Sequence, residues 1–356
     1  MRFEIKSLLA TAVLGLSGLA STAGAQDAQQ VSYEQLLDRV ARLEGEWAEV
    51  PASADVSTDD GGHYFMFENV IVAPFFSQNT SSIATGPVVG NSTVREFDWG
   101  MESNPRIEFG YVNANTGNGW RARYWNFDHN QNDILLVPVG ATINVNPNNT
   151  APGFLATVAG DTVTANHRLK LHVLDVDFLK RDMSEDGGFT ASVGLRYVRM
   201  DQFLRAERVD AGGTLLNNLL QRHDFEGIGP TIAAEFLKRF DCSYWGAFLN
   251  ARGSLLYGDS NLRYDNFSAG GVLDNNVTDI NGQDLIKVAE LQIGLDYRRP
   301  IASCHEIFLR VALEAQYWSN AGSGSAQGFN GVTSVDSAQD ADLGFFGVSI
   351  AAGFDW

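Results

Sequence analysis

Cysteine is nearly absent: the 356-residue chain carries two, Cys242 and Cys304, too few for a disulfide scaffold. Positive charge is scarce as well. Lys and Arg total 25 against 43 Asp and Glu, a formal charge of −18, and that acidity argues against a nucleic-acid partner. Beyond the N-terminus no unbroken apolar run approaches the ~18 residues of a membrane helix. There is no G-x-S-x-G and no H-E-x-x-H. "GIGPTI" (227–232) lacks the third glycine of a nucleotide loop and opens no helix, so close backbone packing is the better reading. Neither a metal nor a cofactor is expected, and no catalytic residue is assigned.

What is present begins with an export signal. Residues 1–25 place Arg2 and Lys6 before an apolar run from Leu8 to Ala20 and end on Ala23-Gly24-Ala25, the pattern of a secretory signal peptide. Residues 26–60 form a stub and linker. In "VSYEQLLDRVARLEGEW" (31–47), Tyr33, Leu36, Val40, Leu43 and Trp47 recur at steps of three and four, which predicts a short helix. Barely two heptads are too few to stand alone. The segment is either an oligomerising stub, as in a homotrimer, or a single helix packed on the body or plugging a pore.

From residue 61 the period is 2. "RIEFGYV" sets Ile107, Phe109 and Tyr111 against Arg106, Glu108 and Gly110. "FTASVGLRY" sets Phe189, Ala191, Val193, Leu195 and Tyr197 against Thr190, Ser192, Gly194 and Arg196. Such alternation means strands with one apolar and one polar face. They fall at 61–74, 95–113, 119–130, 163–180, 188–206, 222–239, 243–258, 284–299, 305–319 and 343–356. Many are ten residues or longer, matching the ~9–11 that cross a bilayer. Gaps between them alternate long and short. The fold class is therefore all-β: an antiparallel transmembrane barrel over 61–356, of ten strands, or twelve if 131–162 hides a hairpin. An even count puts both termini in the periplasm. Aromatics at strand ends (Trp245, Tyr257, Trp318, Phe346, Phe354, Trp356) are the expected interfacial girdles. The terminal "FFGVSIAAGFDW" must pair with the first strand to close the barrel, and its aromatic end is a feature read by barrel-assembly machinery.

Barrels in lipid turn apolar residues outward. The inward set is then Arg121, Arg123, Arg168, Lys170, Arg196, Arg252, Arg298 and Arg310 with Glu108, Asp175, Asp177, Glu235, Glu290, Asp296 and Glu314. A nearly balanced charged wall suits a water-filled pore for small hydrophilic solutes or ions, or a set of ion pairs that fills a narrow barrel. In "RLKLHVLDVDFLK" the apolar phase switches from Leu169, Leu171 and Val173 to Leu174, Val176 and Phe178, which predicts a β-bulge near Val173–Leu174. Cys242 and Cys304 fall in short turns on one rim, either bridged or free.

"RIEFGYVNANTGNGWRARYWNFDH", "LKLHVLDVDFLKR", "ASVGLRYVRM" and "FEGIGPTIAAEF" together resemble the pore-forming outer-membrane family typified by the Legionella major outer membrane protein. The resemblance spans most of residues 60–356. It implies a pore-forming barrel embedded in outer-membrane lipid and brings no catalytic residues. The expected function is passive diffusion. The alternatives are a non-conducting surface barrel, adhesin or structural outer-membrane protein, and a rim hydrolase built on Asp128-His129 or His223-Asp224. Adjacent strand residues point to opposite faces, so neither pair is a dyad by itself.

Overall fold

The computed structural model describes residues 61–77, 79–85, 92–145, 154–156, 158–184, 186–241, 243–268, 272–302, 305–322 and 341–356. The expected signal peptide, the 31–47 segment and both cysteines, with their proposed bridge, lie outside these. Among the described residues there is no helix. Fourteen strands follow in order. They are β1 (His63–Phe76), β2 (Thr80–Thr85), β3 (Ser92–Glu96), β4 (Glu102–Val112), β5 (Asn118–Leu136), β6 (Thr142–Val145) and β7 (Phe154–Ala156). Then come β8 (Thr162–Ser184), β9 (Gly187–Val209), β10 (Leu215–Arg239), β11 (Trp245–Ser268), β12 (Val272–Ala302), β13 (His305–Ser319) and β14 (Leu343–Asp355).

Ten of them close a barrel in the order β1-β14-β13-β12-β11-β10-β9-β8-β5-β4. Every barrel pairing is antiparallel, and β1 seals against β14 from Tyr64↔Asp355 to Phe76↔Leu343. His63 and Trp356 exchange two backbone hydrogen bonds of 2.9 Å beyond that ladder. A hydrocarbon solvent offers an open edge no partner, so closure is what lets these strands span lipid. The hairpin expected within 131–162 does form, as β6 and β7, but it joins β2 and β3 in a separate sheet of order β3-β2-β6-β7. The barrel therefore has ten strands, not twelve.

Phe346, Ile350 and Phe354 on β14, and Trp356 just past it, are exposed on the outer face, while Ser349 and Ala351 are buried inside. On β11 the outward apolar stretch runs from Trp245 to Tyr257. Twelve steps cover roughly 40 Å of strand, or about 28 Å of height at a 45° tilt, which fits the ~25 Å apolar band of such barrels.

The strands do not stop there. β8 to β12 have 23 to 31 residues each. Beyond the band, at the end away from the termini, the faces exchange character. The outside becomes polar and the inside becomes an apolar core of Trp125, Phe127, Leu171, Met200, Phe225 and Phe345. Here the strands pack as they would in water. This exchange replaces the expected bulge. Val173 pairs with Trp125 and Val198, Leu174 pairs with Tyr124 and Tyr197, and the register through them is unbroken. Odd residues of β8 face inward throughout: Asp177 and Asp175 within the band, then Val173, Leu171 and Leu169 in the core. In "GIGPTI" a Cβ on Gly229 would sit 1.7 Å from the Leu255 carbonyl oxygen, so glycine permits the close approach of β11.

A charged lumen as the candidate functional site

The inward faces of the band bring together thirteen of the fifteen charged residues expected to line the lumen. Nearest the termini, Arg298 Nε donates to Asp296 (2.9 Å), and its Nη1 lies 3.3 Å from Asp355 and 3.4 Å from Glu306. Arg310 joins Asp296 (2.7 Å) to Glu235 (3.0 Å). At the next level Tyr64 donates its hydroxyl to Glu108 at 2.8 Å, and Arg121 donates to Asp177 at 2.9 Å. Asp177 also accepts from Arg252 at 2.7 Å. Asp175 accepts from Arg196 at 2.6 Å and from Arg123 at 2.9 Å, and both arginines reach on to Glu290 at 2.6 and 3.0 Å.

Two further charged residues, Arg106 and Glu68, complete the network with Gln292. Arg106 is held by Glu314 (2.6 Å) and Glu68 (3.0 Å), and Gln292 donates to both carboxylates at 3.0 Å. The Arg106 guanidinium lies 5.1 Å from the centre of the Trp125 ring, where the charged section meets the apolar core. Arg106 shares the polar face of Glu108, so its side was legible in the sequence. Glu68, in "FMFENVIV", carried the same period-2 signal within a mostly apolar stretch.

Each arginine here faces two or more acceptors, and the side chains of Asp175 and Arg196 are 0% exposed. Charges taken this far from water persist only when they are paired and hydrogen-bonded. Among the described residues the filling is close to complete. A cavity lined by Glu68, Glu108, Arg123, Asn250 and Arg310 measures about 30 Å³, one water's worth. Toward the far end, the ring of Phe345 stands 5.5 Å from Trp125 and 5.0 Å from Phe127 and continues the obstruction.

Three residues are not where the sequence pattern placed them. Arg168 and Lys170 are on the outer surface beyond the band, because β8 keeps its phase. There Arg168 forks onto Asp128 at 2.7 and 2.8 Å, and this hydrogen bonding holds the Asp128 carboxyl below its ordinary range. Trp318 is fully buried in the core, with Nε1 donating to Gln316 at 3.1 Å, while its neighbour Tyr317 faces outward. The other girdle residues, Trp245, Tyr257, Phe346, Phe354 and Trp356, lie on the outer face.

The two acid–histidine pairs are split across the wall. Asp128 is outside, while His129 is inside and bonds Glu102 at 3.1 Å. Asp224 is outside with Arg222, while His223 is buried against Ser260 at 3.1 Å. Burial pushes the His223 imidazole down to about 4, Asp284 opposing, and pushes His167 to about 3. His167 is enclosed by the rings of Phe76, Phe97 and Trp99 at 5.1–5.4 Å. Gln202 donates to the carbonyls of Ala321 and Gly322, which cover this end of the core.

A closed antiparallel barrel with an apolar outer band and a charged interior is an outer-membrane β-barrel. The family described as Legionella pneumophila major outer membrane protein precursor matches residues 66–356, and the chain belongs to that family. No curated protein matches the sequence. Among solved structures, the chain is similar to the outer membrane protease OmpT of Escherichia coli at 8% identity, covering 84% of this chain and 97% of that one with a TM-score of 0.36. It is also similar to the toluene transporters TodX of P. putida (7% identity, 86% and 93% covered, TM-score 0.29) and TbuX of Ralstonia pickettii (11%, 86% and 92%, 0.28). At these scores none bears on activity.

Proposed function

We propose that the protein is a non-conducting surface barrel, anchored by its apolar band and presenting the long-strand end with its four-stranded sheet to the exterior. Both termini then lie on the periplasmic side, reached by export through the N-terminal signal and by insertion through the barrel-assembly machinery. The observation that carries this reading is the continuous filling of the lumen, by ion pairs within the band and by apolar side chains beyond it. A path for hydrated solutes needs a connected polar channel, and the apolar core interrupts one. Neither histidine pair supports hydrolysis, since each acid and its histidine are on opposite faces.

A second reading, passive diffusion, is favoured by one feature: within the described band, side chains from the wall do the filling, so rotamer changes alone could widen it. Liposome swelling separates the two. Proteoliposomes in isotonic arabinose should swell no faster than protein-free vesicles. Rapid swelling that falls off with sugar size would establish the pore instead.

A further inference from the structure

On the outer face of β9, β10 and β11, two cross-strand rows follow one another at the edge of the apolar band. Tyr197, Ile228 and Tyr257 are successive register partners and end the band. Two residues further along each strand, Arg199, Glu226 and Asp259 are partners in the same way. A concavity of about 800 Å³ spans both rows, apolar on one side and charged on the other.

The charges in and beside the second row are unequally satisfied. Arg222 is committed to Asp201 and Asp224 at 3.1 and 2.7 Å. Arg199 is half exposed, with a loose contact to Asp201 at 3.4 Å. Glu226 accepts the Tyr197 hydroxyl at 2.8 Å but forms no ion pair among the described residues. Asp259 has neither hydrogen bond nor ion pair among the described residues. One half-exposed guanidinium, held only loosely by Asp201, therefore stands beside two carboxylates that form no ion pair among the described residues, at the ~4.8 Å spacing of neighbouring strands. The complement of that row is a small zwitterion whose phosphate faces Arg199 and whose ammonium faces Glu226 and Asp259. The complement of the row beneath is an acyl chain lying over Tyr197, Ile228 and Tyr257.

We propose that this concavity docks a membrane lipid with a phosphoethanolamine headgroup. A purely anionic headgroup would bring its charge against Glu226 and Asp259, and a bare hydrocarbon would leave the charged row unused. The proposal rests on the band and its outer face, and holds whether or not the lumen conducts.

Native mass spectrometry of the full chain in non-ionic detergent tests it, with dilauroyl phosphatidylethanolamine and dilauroyl phosphatidylglycerol added in separate titrations. The expected result is one ethanolamine lipid retained at least about fivefold more tightly than the glycerol lipid, the scale of an exposed ion pair. In Glu226→Gln/Asp259→Asn the two lipids should be held alike. Both carboxylates are at the surface, and unchanged heat-modifiable gel migration reports that the variant is folded. Equal retention of both lipids by the natural chain, a preference for the anionic lipid, or an unaltered preference in the double variant would each overturn it.

Discussion

Removing one carboxylate from the centre of the lumen should cost far more than removing one cation from the outer surface, although both positions read alike in the sequence. Asp175→Asn keeps the shape of the side chain and deletes its charge. It leaves Arg196 and Arg123, which now donate to Asp175 at 2.6 and 2.9 Å, and Arg252 at 3.6 Å, with a surplus positive charge where the Arg196 side chain has 0% exposure. Breaking a buried pair by removing one partner typically costs about 3–5 kcal/mol, because the remaining charge stays desolvated. Arg168→Ala deletes the fork onto Asp128, whose side chains are 45% and 37% exposed. Pairs that wet are worth at most about 1 kcal/mol. Urea unfolding in detergent micelles, followed by tryptophan fluorescence, reads both. Asp175→Asn costing less than about 1 kcal/mol would refute a desolvated network. Arg168→Ala costing about 3 kcal/mol would refute its outward placement.

Acid should loosen the long-strand end before the band. His167 and His223, held near 3 and 4 by burial, stay neutral in the fold while the unfolded chain takes up their protons below about 6.5. Depressed histidines leave stability untouched above that value and lower it as pH falls, by about 2 kcal/mol each at pH 5. Hydrogen exchange at residues 200–206 should accelerate from pH 7 to pH 5 after correction for intrinsic rates, and His167→Phe should blunt the change; equal protection at both pH values would contradict it. Deleting Trp356 removes the two hydrogen bonds to His63 and a ring stacked 4.6 Å from Phe354, and should lower the yield of heat-modifiable barrel. Unchanged yield would show that the terminal residue is dispensable for closure.

Alternation alone was enough to read the closing strand: Phe346 to Trp356 lie outside and the small residues between them inside, because lipid and lumen impose opposite demands on successive positions. The same reasoning failed on β8. It assumes that apolar always means outward, which holds only within lipid. Beyond Val173 the solvent outside is water, and the apolar side turns inward without any shift of register. That one change of surroundings moved Arg168 and Lys170 out of the lumen. The same change also made the extensions of β10 and β11 read as loops, since their polar outward residues looked like connections. Trp318 was read as a girdle residue from its place at a strand end, but it shares the inward parity of Glu314 and Gln316 and lies in the core. The pairings of Arg196 with Asp175 and Glu290, by contrast, join three strands, and no local spacing encodes which charges meet.

Planar-bilayer recording of the purified full-length protein bears most directly on whether the lumen is closed. Filled from the Asp296 ion pairs to the Phe345 core, the barrel should insert without discrete current steps across a range of voltages. Steps of uniform size, with a reversal potential that shifts under a salt gradient, would contradict a closed lumen and establish a selective pore.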